Sequence, residues 1–345
     1  MPIFSYNIIF FTHYIREEFM RKYFIIILFL FIIGLNVIPK PSIVLANDNL
    51  VYLGGMPAGF SLNTKGAKIM GITDVISNKG AISPARESKI EIGDVILKID
   101  GKDVNTALDV EDAVKDDKIK NLLIERNNET FSVLIKPVKD INGKYKIGVY
   151  IRDTVKGIGT ITFVKNNRFA SLGHPINDDC GEIANIVNGE LFDCYITGSI
   201  KGERGKPGEL KGIFTKTMHV GEIENNIEQG VYGKINENFS FSDLRQIEIG
   251  NATLGNATIY STILGKTPKE YSIQISKVDN DLEGNKNLVI KINDKELLEQ
   301  TGGIVQGMSG SPIVQNGRLV GAITHVFIND PTRGFGISIN NMIDK

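Results

Sequence analysis

Short stretches in which apolar and polar residues alternate occupy the chain after residue 50. At residues 92–104 such a stretch lies between a Gly-Asp turn and an Asp-Gly turn, and a short helix is predicted to begin near Asp109. Residues 122–126 and 130–135 then predict a hairpin around an Asn-Asn turn. We therefore predict a first folded unit of short strands with one helix between them.

A second region begins after the polar stretch at residues 139–144 and contains no long amphipathic run. Short apolar segments separated by Gly, Asn and Asp predict strands at 147–151, 159–164, 183–187, 254–263, 270–275, 288–292 and 317–325. This spacing favours a β-barrel or sandwich, and the length suits a pair of small barrels. We predict a mainly β chain whose two domains span residues 47–138 and 139–345.

An uncharged apolar run at residues 23–38 precedes both domains and follows two basic residues. Its helix would be about 24 Å long, against roughly 30 Å for a bilayer core, so a cleaved signal peptide and a short signal-anchor both fit. Small residues before Asn47 offer a signal peptidase site. We expect residues 1–46 to be a targeting segment with its true start at Met20, and the rest to be exported and membrane-associated.

The overall composition excludes some functions. Lys and Arg number 39 against 40 Asp and Glu, so the chain has no basic surplus for nucleic acid. With 42% hydrophobic and 23% charged residues it is typical of a globular protein. Cys180 and Cys194 are too few for a disulfide scaffold or a Cys-based metal site, and one disulfide is the most they could form. We expect no metal and no cofactor.

The most specific chemical motif of the sequence is a turn at residues 307–312, which reads Gly-Met-Ser-Gly-Ser-Pro. Glycines on both sides of Ser309 permit a tight turn whose backbone N–H groups converge on an oxyanion. The turn resembles the nucleophile turn of chymotrypsin-like serine proteases, with Met308 and Ser311 in place of the usual Asp and Gly. We predict that Ser309 is the nucleophile and that the N–H groups of Gly307 and Ser309 form the oxyanion hole.

A serine nucleophile needs a general base, and the chain has four histidines. His174 ends an apolar strand before a proline and precedes Ser309, the order that chymotrypsin-like enzymes use. His13 precedes the apolar run, and His219 has the pattern of an ordinary strand residue. His325 follows the serine too closely in sequence to come from another barrel. We predict that His174 is the base.

Spacing alone does not identify an orienting acid for that histidine. The candidates in the second region are Asp178, Asp179, Asp193, Asp243 and Asp294.

The first folded unit resembles a PDZ domain over about 85 residues. Gly59, Phe60, Ser61 and Leu62 occupy the position of the loop with which that family binds a peptide carboxylate. The resemblance implies that a hydrophobic residue docks there by strand addition, against a wall that includes Val110 at the start of the helix. The alternative is a packing module that only separates the protease from the membrane.

The exported chain as a whole resembles the stage IV sporulation protein B peptidase family of spore-forming bacteria. The PDZ unit, the sequence ASLGHPI around His174, and residues 148–162 and 301–337 carry this resemblance. Carried over by motif, the family's catalytic triad is His174, Asp294 and Ser309.

The resemblance implies a self-cleaving serine endopeptidase of sporulation signalling. Its protein substrate is a regulator whose cleavage activates an intramembrane protease that matures a sigma factor, and its own N-terminal segment is a second partner. It would act between the forespore and mother-cell membranes. Two alternatives are a catalytically inactive PDZ adaptor, suggested by Met308, and a structural spore-envelope protein, for which the sequence contains no repeat.

Overall fold

A computed structural model describes residues 20–22, 49–178, 181–237, 239–240, 244–279 and 284–345. The chain divides into two compact units, Met1–Asp48 and Asn49–Lys345. The apolar run at residues 23–38 and the predicted cleavage site before Asn47 lie outside the described residues. Within the described ranges, no helix has both the length and the apolar character needed to cross a membrane.

The described part of the chain is built mainly from strands. The strands are β1 (Leu50–Leu53), β2 (Pro57–Ile72), β3 (Val75–Ser77), β4 (Gly80–Ile82), β5 (Val95–Ile99), β6 (Lys102–Asp103), β7 (Lys120–Arg126), β8 (Glu129–Ile135), β9 (Val138–Lys139), β10 (Tyr145–Lys146), β11 (Val149–Lys165), β12 (Arg168–Ser171), β13 (Ile186–Asp193), β14 (Tyr195–Ile200), β15 (Glu209–Ile213), β16 (His219–Ile227), β17 (Gly230–Ile235), β18 (Gln246–Ile249), β19 (Gly255–Ser261), β20 (Lys269–Val278), β21 (Leu288–Ile292), β22 (Pro312–Gln315), β23 (Arg318–Phe327) and β24 (Asp330–Ser338). The helices are α1 (Pro84–Glu87), α2 (Ala107–Ala113), α3 (Lys295–Thr301) and α4 (Ile339–Met342), with a 3₁₀ turn at Lys216–Met218.

Six antiparallel strands close the first barrel in the order β2, β11, β12, β17, β16, β13 and back to β2. Alternate side chains of each strand point inward, and Phe60, Leu62, Phe169 and Leu191 fill the interior. Closure satisfies the backbone of every strand on both edges.

A second barrel closes in the same way, in the order β19, β20, β21, β24, β23, β22 and back to β19. Its core contains Ile259, Ile273, Ile290 and Ile313. The pair of small β-barrels predicted from strand spacing is confirmed by these two closed strand orders.

The two barrels pack against each other through a third apolar cluster, to which Phe163 and Tyr232 contribute from the first barrel and Leu319 and Ile337 from the second. Strand β1 pairs with β11 and with β18, and β18 runs parallel to β23. This packing places the end of β12 beside β23.

The PDZ unit is inserted into one hairpin of the first barrel. Strands β2 and β11 continue beyond the barrel, where Ile72 pairs with Val149, and Ala67 of β2 pairs with Ile96 of β5. Ile147 and Val149 pack into the core of the PDZ unit. The boundary predicted at residues 138 and 139 therefore does not separate the two cores, because the first barrel begins before the PDZ unit.

The prediction that residues 59–62 form a carboxylate-binding loop is wrong. Gly59, Phe60, Ser61 and Leu62 lie inside β2 and pair with β11 on one edge and with β13 on the other. The side chains of Phe60 and Leu62 are buried in the first barrel. No backbone edge of this segment is left for a peptide, because barrel closure uses both.

Candidate active site

The turn that carries Ser309 lies between α3 and β22 and is tied to both barrels. Thr160 of β11 binds it twice: its N–H donates to the Ser309 carbonyl at 2.9 Å, and its hydroxyl donates to the Gly307 carbonyl at 2.9 Å. The Ser309 hydroxyl donates to the Thr324 carbonyl of β23 at 2.9 Å. The nucleophile turn is thus fixed at the junction of the two barrels.

Gly310 is required by the close approach of two backbones. Its φ is +89°, and an added Cβ would lie 2.1 Å from the Thr160 carbonyl oxygen and 2.5 Å from the Leu172 nitrogen. No side chain fits there without moving β11 or the segment after β12. The glycine therefore sets the distance between the serine turn and the chain that leads to His174.

The two residues that depart from the usual protease motif face the protein interior. Met308 is fully buried in the core of the second barrel. Ser311 is also buried, and its hydroxyl hydrogen-bonds the Ser261 hydroxyl at 2.9 Å. Both substitutions are therefore accommodated in the packed interior.

The backbone of the turn leaves the predicted oxyanion donors available. The N–H groups of Met308, Gly310 and Ser311 donate to carbonyls within the barrel. Among the described residues, the N–H groups of Gly307 and Ser309 have no acceptor. These are the two groups that the sequence motif suggests, and a pair of free, fixed N–H donors can stabilise an oxyanion.

His174 follows a strained turn at the end of β12. The Gly173 N–H donates to the Ser171 carbonyl at 2.8 Å, which closes a γ-turn with Leu172 at φ +65°. This conformation is unfavourable for a branched residue, and it persists because the Leu172 side chain is buried and its N–H donates to the Thr160 carbonyl. The strained turn directs the chain away from the barrel wall just before the histidine.

The protonation state of His174 suits a general base. Its Nδ1 lies 2.8 Å from the Pro175 carbonyl oxygen. Because a carbonyl only accepts, Nδ1 carries the proton and Nε2 carries the lone pair. Burial lowers the pKa of His174, while the hydrogen bond to Pro175 acts in the opposite direction. The ring is therefore neutral near pH 7.

Ser309 and His174 each contact β23, at two consecutive residues. The Thr324 carbonyl accepts from Ser309, and the next residue, His325, lies against His174 with ring centroids 4.9 Å apart. No hydrogen bond joins His174 directly to the Ser309 hydroxyl in this part of the chain. Such contacts are often long in a protease without substrate and form when the substrate binds.

Asp294, the predicted orienting acid, is engaged at the start of α3, and its role towards His174 stays a prediction. Its carboxylate accepts from the Leu297 N–H at 3.0 Å and from the Ser272 N–H at 3.2 Å, and it is the N-cap of α3. Among the described residues, no contact joins it to either ring of the histidine pair. Helix capping explains an aspartate at this position.

The two other candidate acids that the structure describes each pair with a lysine. Asp178 pairs with Lys68 at 3.2 Å, and Asp193 pairs with Lys266. Asp179 and Asp243 lie outside the described residues. No carboxylate of the described chain contributes to the pKa of His174.

Three further sequence predictions concern other side chains. His219 contacts Asn236 and Phe192 and takes no part in the serine site. The Cys180–Cys194 disulfide is untested because Cys180 lies outside the described residues. Burial raises the pKa of the Cys194 thiol to about 11, so the thiol is unreactive. Within the described ranges, no group of three His, Cys, Asp or Glu side chains could hold a metal ion.

Sequence reasoning missed His325 as a member of the site. It set this histidine aside because both it and Ser309 belong to the second barrel. That argument is correct about the barrel, but β23 runs back along the interface and presents His325 to His174 of the first barrel. The sequence feature that indicates its position is the short hairpin after Ser309, because the second strand of that hairpin runs back past the nucleophile turn.

The PDZ unit contains a groove, which lies away from residues 59–62, the segment predicted to bind a peptide. Helix α2 and the segment from β10 into β11 border a cavity of about 710 Å³, and Val110, Val114, Ile147 and Val149 line it. In the described chain, the start of β11 pairs with β2 on one edge only. The other edge is open to strand addition, and Val110 is part of the wall, as the sequence suggested.

Comparisons with known proteins agree with this architecture. A family model for SpoIVB peptidase S55 matches residues 143–343, and a PDZ domain model matches residues 54–136. The search of curated proteins found no match.

Three solved structures illustrate the likeness. The Rv3671c protease of M. tuberculosis in its active form is 11% identical over 54% of this chain and 71% of that chain, with a TM-score of 0.32. Human heparin binding protein is 10% identical over 53% and 81%, with a TM-score of 0.29. The PDZ domain of an SdrC-like protein from Listeria monocytogenes is 22% identical over 26% and 90%, with a TM-score of 0.21.

The peptidase model covers more than half of the sequence and includes both His174 and Ser309. The chain therefore belongs to the SpoIVB peptidase S55 family of serine peptidases.

Proposed function

We propose that this protein is a serine endopeptidase of sporulation signalling in which Ser309 is the nucleophile and His174 is the general base. The observation that carries the proposal is that both residues contact β23, Ser309 through the Thr324 carbonyl and His174 through the His325 ring, and that two backbone N–H groups of the serine turn have no acceptor among the described residues. These are the parts that acyl transfer to serine needs.

In the proposed reaction, the Ser309 hydroxyl leaves the Thr324 carbonyl and turns towards Nε2 of His174. Nε2 takes the proton as Oγ attacks the scissile carbonyl carbon, and the N–H groups of Gly307 and Ser309 bind the oxyanion. His174 then gives the proton to the leaving amine, and water repeats the sequence to release the acyl group.

The biological setting is also part of the proposal. The uncharged run at residues 23–38 supports targeting to the membrane, with the folded part on the outer face of the cytoplasmic membrane. Membership of the SpoIVB peptidase family supports self-cleavage, followed by cleavage of a regulator that activates an intramembrane protease. The site of action would be the space between forespore and mother cell.

The PDZ groove is proposed to bind an extended peptide with an apolar end. The free edge of β11 would supply main-chain hydrogen bonds, and Val110 and Ile147 would contact the apolar side chain. The proposed occupant is the protein's own N-terminal segment ending at Ala46, whose last residues are apolar.

A fluorophosphonate probe tests the catalytic proposal directly, because it reacts with an activated serine. The full chain should be labelled, and Ser309→Ala should abolish both labelling and self-cleavage. Ser311→Ala is the matched control in the same turn, since that hydroxyl is buried against Ser261, and it should still be labelled.

An inactive PDZ adaptor is the second candidate. It is favoured by the Ser309 hydroxyl pointing to Thr324 and by the engagement of Asp294 at the start of α3. A folded wild-type chain that resists the probe would support the adaptor.

A further inference from the structure

The outer face of the second barrel carries a row of aromatic rings that begins beside His174. The ring of His325 on β23 lies against that of His174, with centroids 4.9 Å apart. On β24, Phe335 is the register partner of His325, so the two side chains share a face of the sheet. The ring of Phe327 contacts that of Phe335, with centroids 4.7 Å apart. We call His325, Phe335 and Phe327 the aromatic strip.

Two cations lie over the rings of the aromatic strip. The guanidinium carbon of Arg333 is 5.5 Å from the centroid of the Phe327 ring. The ammonium nitrogen of Lys286 is 5.6 Å from the centroid of the Phe335 ring. A ring face attracts a cation and so restricts the position of its side chain. Both basic side chains are exposed and both phenylalanines are half-buried, so a bound molecule would meet the cations.

A third basic side chain extends this positive charge. Lys291 of β21 is exposed and is the register partner of Arg333 on β24. Its two neighbours along β21 are buried in the barrel core, so Lys291 points outwards on the same face as Arg333. The acidic residue beside Phe327 is Asp330, whose carboxylate accepts from the N–H and the hydroxyl of Thr332 at 3.2 and 2.6 Å. Because the whole chain has a net charge of −1, the positive charge of this face is local.

The aromatic strip lies within reach of a peptide bound at the candidate active site. Strand β23 runs from Thr324, whose carbonyl accepts from the Ser309 hydroxyl, to Phe327. These three steps of extended chain span roughly 10 Å, the length of about three residues of an extended substrate. A peptide whose scissile bond lies at Ser309 can therefore reach Phe327 and Arg333 within a few residues of that bond.

We propose that Arg333, Lys286 and Lys291 form a surface that binds acidic side chains, and that it favours substrates with Asp or Glu within about five residues of the scissile bond. This inference rests on the proposed function and deepens it, because it names a substrate class. The Arg333 guanidinium presents parallel N–H donors that match a carboxylate, and the two lysines add charge. Since all three side chains are exposed, the preference is graded and does not exclude neutral peptides.

A peptide library tests the preference for acidic residues. A chymotryptic digest of a bacterial proteome has acidic and basic residues at internal positions, and mass spectrometry identifies the new ends that the full chain produces. Asp and Glu should be enriched about threefold to fivefold near the cleaved bonds, the range that an exposed ion pair supplies. In roughly 1 M salt, where charges are screened within about 3 Å, the enrichment should disappear.

Charge reversal identifies the residues responsible. Arg333→Glu should abolish the enrichment of acidic residues and enrich Lys and Arg instead. Arg318→Glu is the matched control, because it changes the net charge equally at the other end of β23, where Arg318 pairs with Glu248. It should keep the acidic preference. The fluorophosphonate probe has no peptide, so both variants should label Ser309 within about twofold of the wild-type rate.

A binding measurement separates this inference from the proposed function. Ser309→Ala requires no catalysis, and the probe is a peptide of residues 43–52, whose one acidic residue is Asp48. By fluorescence anisotropy this peptide should bind about threefold to fivefold more tightly than the same peptide with Asp48→Asn, and Arg333→Glu should remove the difference. Equal binding of the two peptides, or an acidic preference that survives Arg333→Glu, would overturn the proposed surface. A wild-type chain that cleaves no peptide and is never labelled, with Arg333-dependent binding intact, would overturn the enzyme assignment alone.

Discussion

The Asp294 carboxylate accepts two backbone N–H groups and begins α3, which is the helix before the serine turn. Its carboxylate therefore contributes to the position of that helix. The described neighbours of the His174 ring are the Pro175 carbonyl and the His325 ring.

Substitutions at Asp294 distinguish capping from catalysis. Asp294→Asn keeps an acceptor for the helix and should preserve labelling of Ser309. Asp294→Ala should lower the free energy of unfolding by about 1 kcal/mol, the usual value of an N-cap. Denaturant unfolding and probe labelling measure the two effects. A loss of about 10⁴ in rate for Asp294→Asn would instead show that the carboxylate acts on His174.

The pH dependence of labelling should report the lowered pKa of His174. A general base must be unprotonated, so the rate rises as pH increases through its pKa. Burial moves that pKa below the ordinary value of 6.5. We expect the midpoint of the acidic limb below pH 6.5 and a plateau at neutral pH. Labelling rates across this range provide the measurement, and a midpoint above 6.5 would contradict the assignment.

At the scale of elements, two turns that are distant in sequence share one close contact. The turn after β12 and the turn before β22 meet at Gly310, where the backbones of Thr160 and Leu172 leave no room for a Cβ. The geometry of base and nucleophile is therefore set by backbone contact, which is less adaptable than side-chain packing.

Gly310→Ala should damage the site through that contact. We expect loss of labelling and a destabilisation beyond the roughly 1–3 kcal/mol of a strained backbone alone. Gly317→Ala is the matched control, because that glycine also has a positive φ but has open space around its Cβ position. It should lose stability and keep labelling. Equal labelling of the two variants would show that the contact is not needed.

The strands predicted at 254–263, 270–275, 288–292 and 317–325 correspond to β19, β20, β21 and β23, because burial on one face leaves a period of two in the sequence. The strand predicted at 183–187 shares only its last two residues with β13. The alternating patterns did not predict where strands continue. Strand β2 has 16 residues and β11 has 17, and each passes from the barrel into the PDZ unit. Residues 59–62 were assigned to a loop from the resemblance to PDZ domains, and that resemblance does not show that β2 continues from the barrel into the PDZ unit.

Sequence reasoning could name a candidate residue only where a local motif indicates its chemistry. The Ser309 turn and His174 each have a local signal, a glycine pair in one case and a strand end before proline in the other. His325 has none, since its position beside His174 depends on how two barrels pack. Asp294 lies close to the serine in sequence, and only the fold shows that its carboxylate caps a helix.

At the scale of the whole molecule, the insertion makes the protease depend on residues that precede the PDZ unit. A chain of residues 139–345 lacks β1 and β2, so the first barrel cannot close. We expect this chain to be unfolded in that barrel and not labelled.

A shortened hairpin is the matched control. Thr64 and Asp153 are joined by a hydrogen bond at the end of the barrel part of the hairpin. Replacing residues 65–152 by Asn-Gly should form a tight turn and restore labelling. Circular dichroism and probe labelling compare the two chains. A folded, active 139–345 chain would contradict the closure described above.

Peptide binding to the groove can be tested by substituting an exposed residue, because such a substitution leaves the free energy of unfolding nearly unchanged. Ile141 lines the groove and is 61% exposed, whereas Leu134 is 66% exposed on β8 and outside the groove. Ile141→Asp should weaken binding of a peptide of residues 40–46 and change the rate of self-cleavage. Leu134→Asp should do neither. Fluorescence anisotropy measures peptide binding, and intact mass measures self-cleavage. If the two variants bind the peptide and cleave themselves equally, the PDZ unit only separates the protease from the membrane.

Strand β11 begins at the groove, and further along the same strand Thr160 hydrogen-bonds the serine turn. Thermodynamic linkage then requires that any effect of binding at the groove on binding at Ser309 be matched by an equal effect in the other direction. If a bound peptide changes the affinity of Ser309 for a reversible oxyanion mimic such as a boronate, the boronate must change the affinity of the groove for the peptide by the same factor. The protein would then report occupancy of its active site as a change in how tightly it holds its own N-terminal segment.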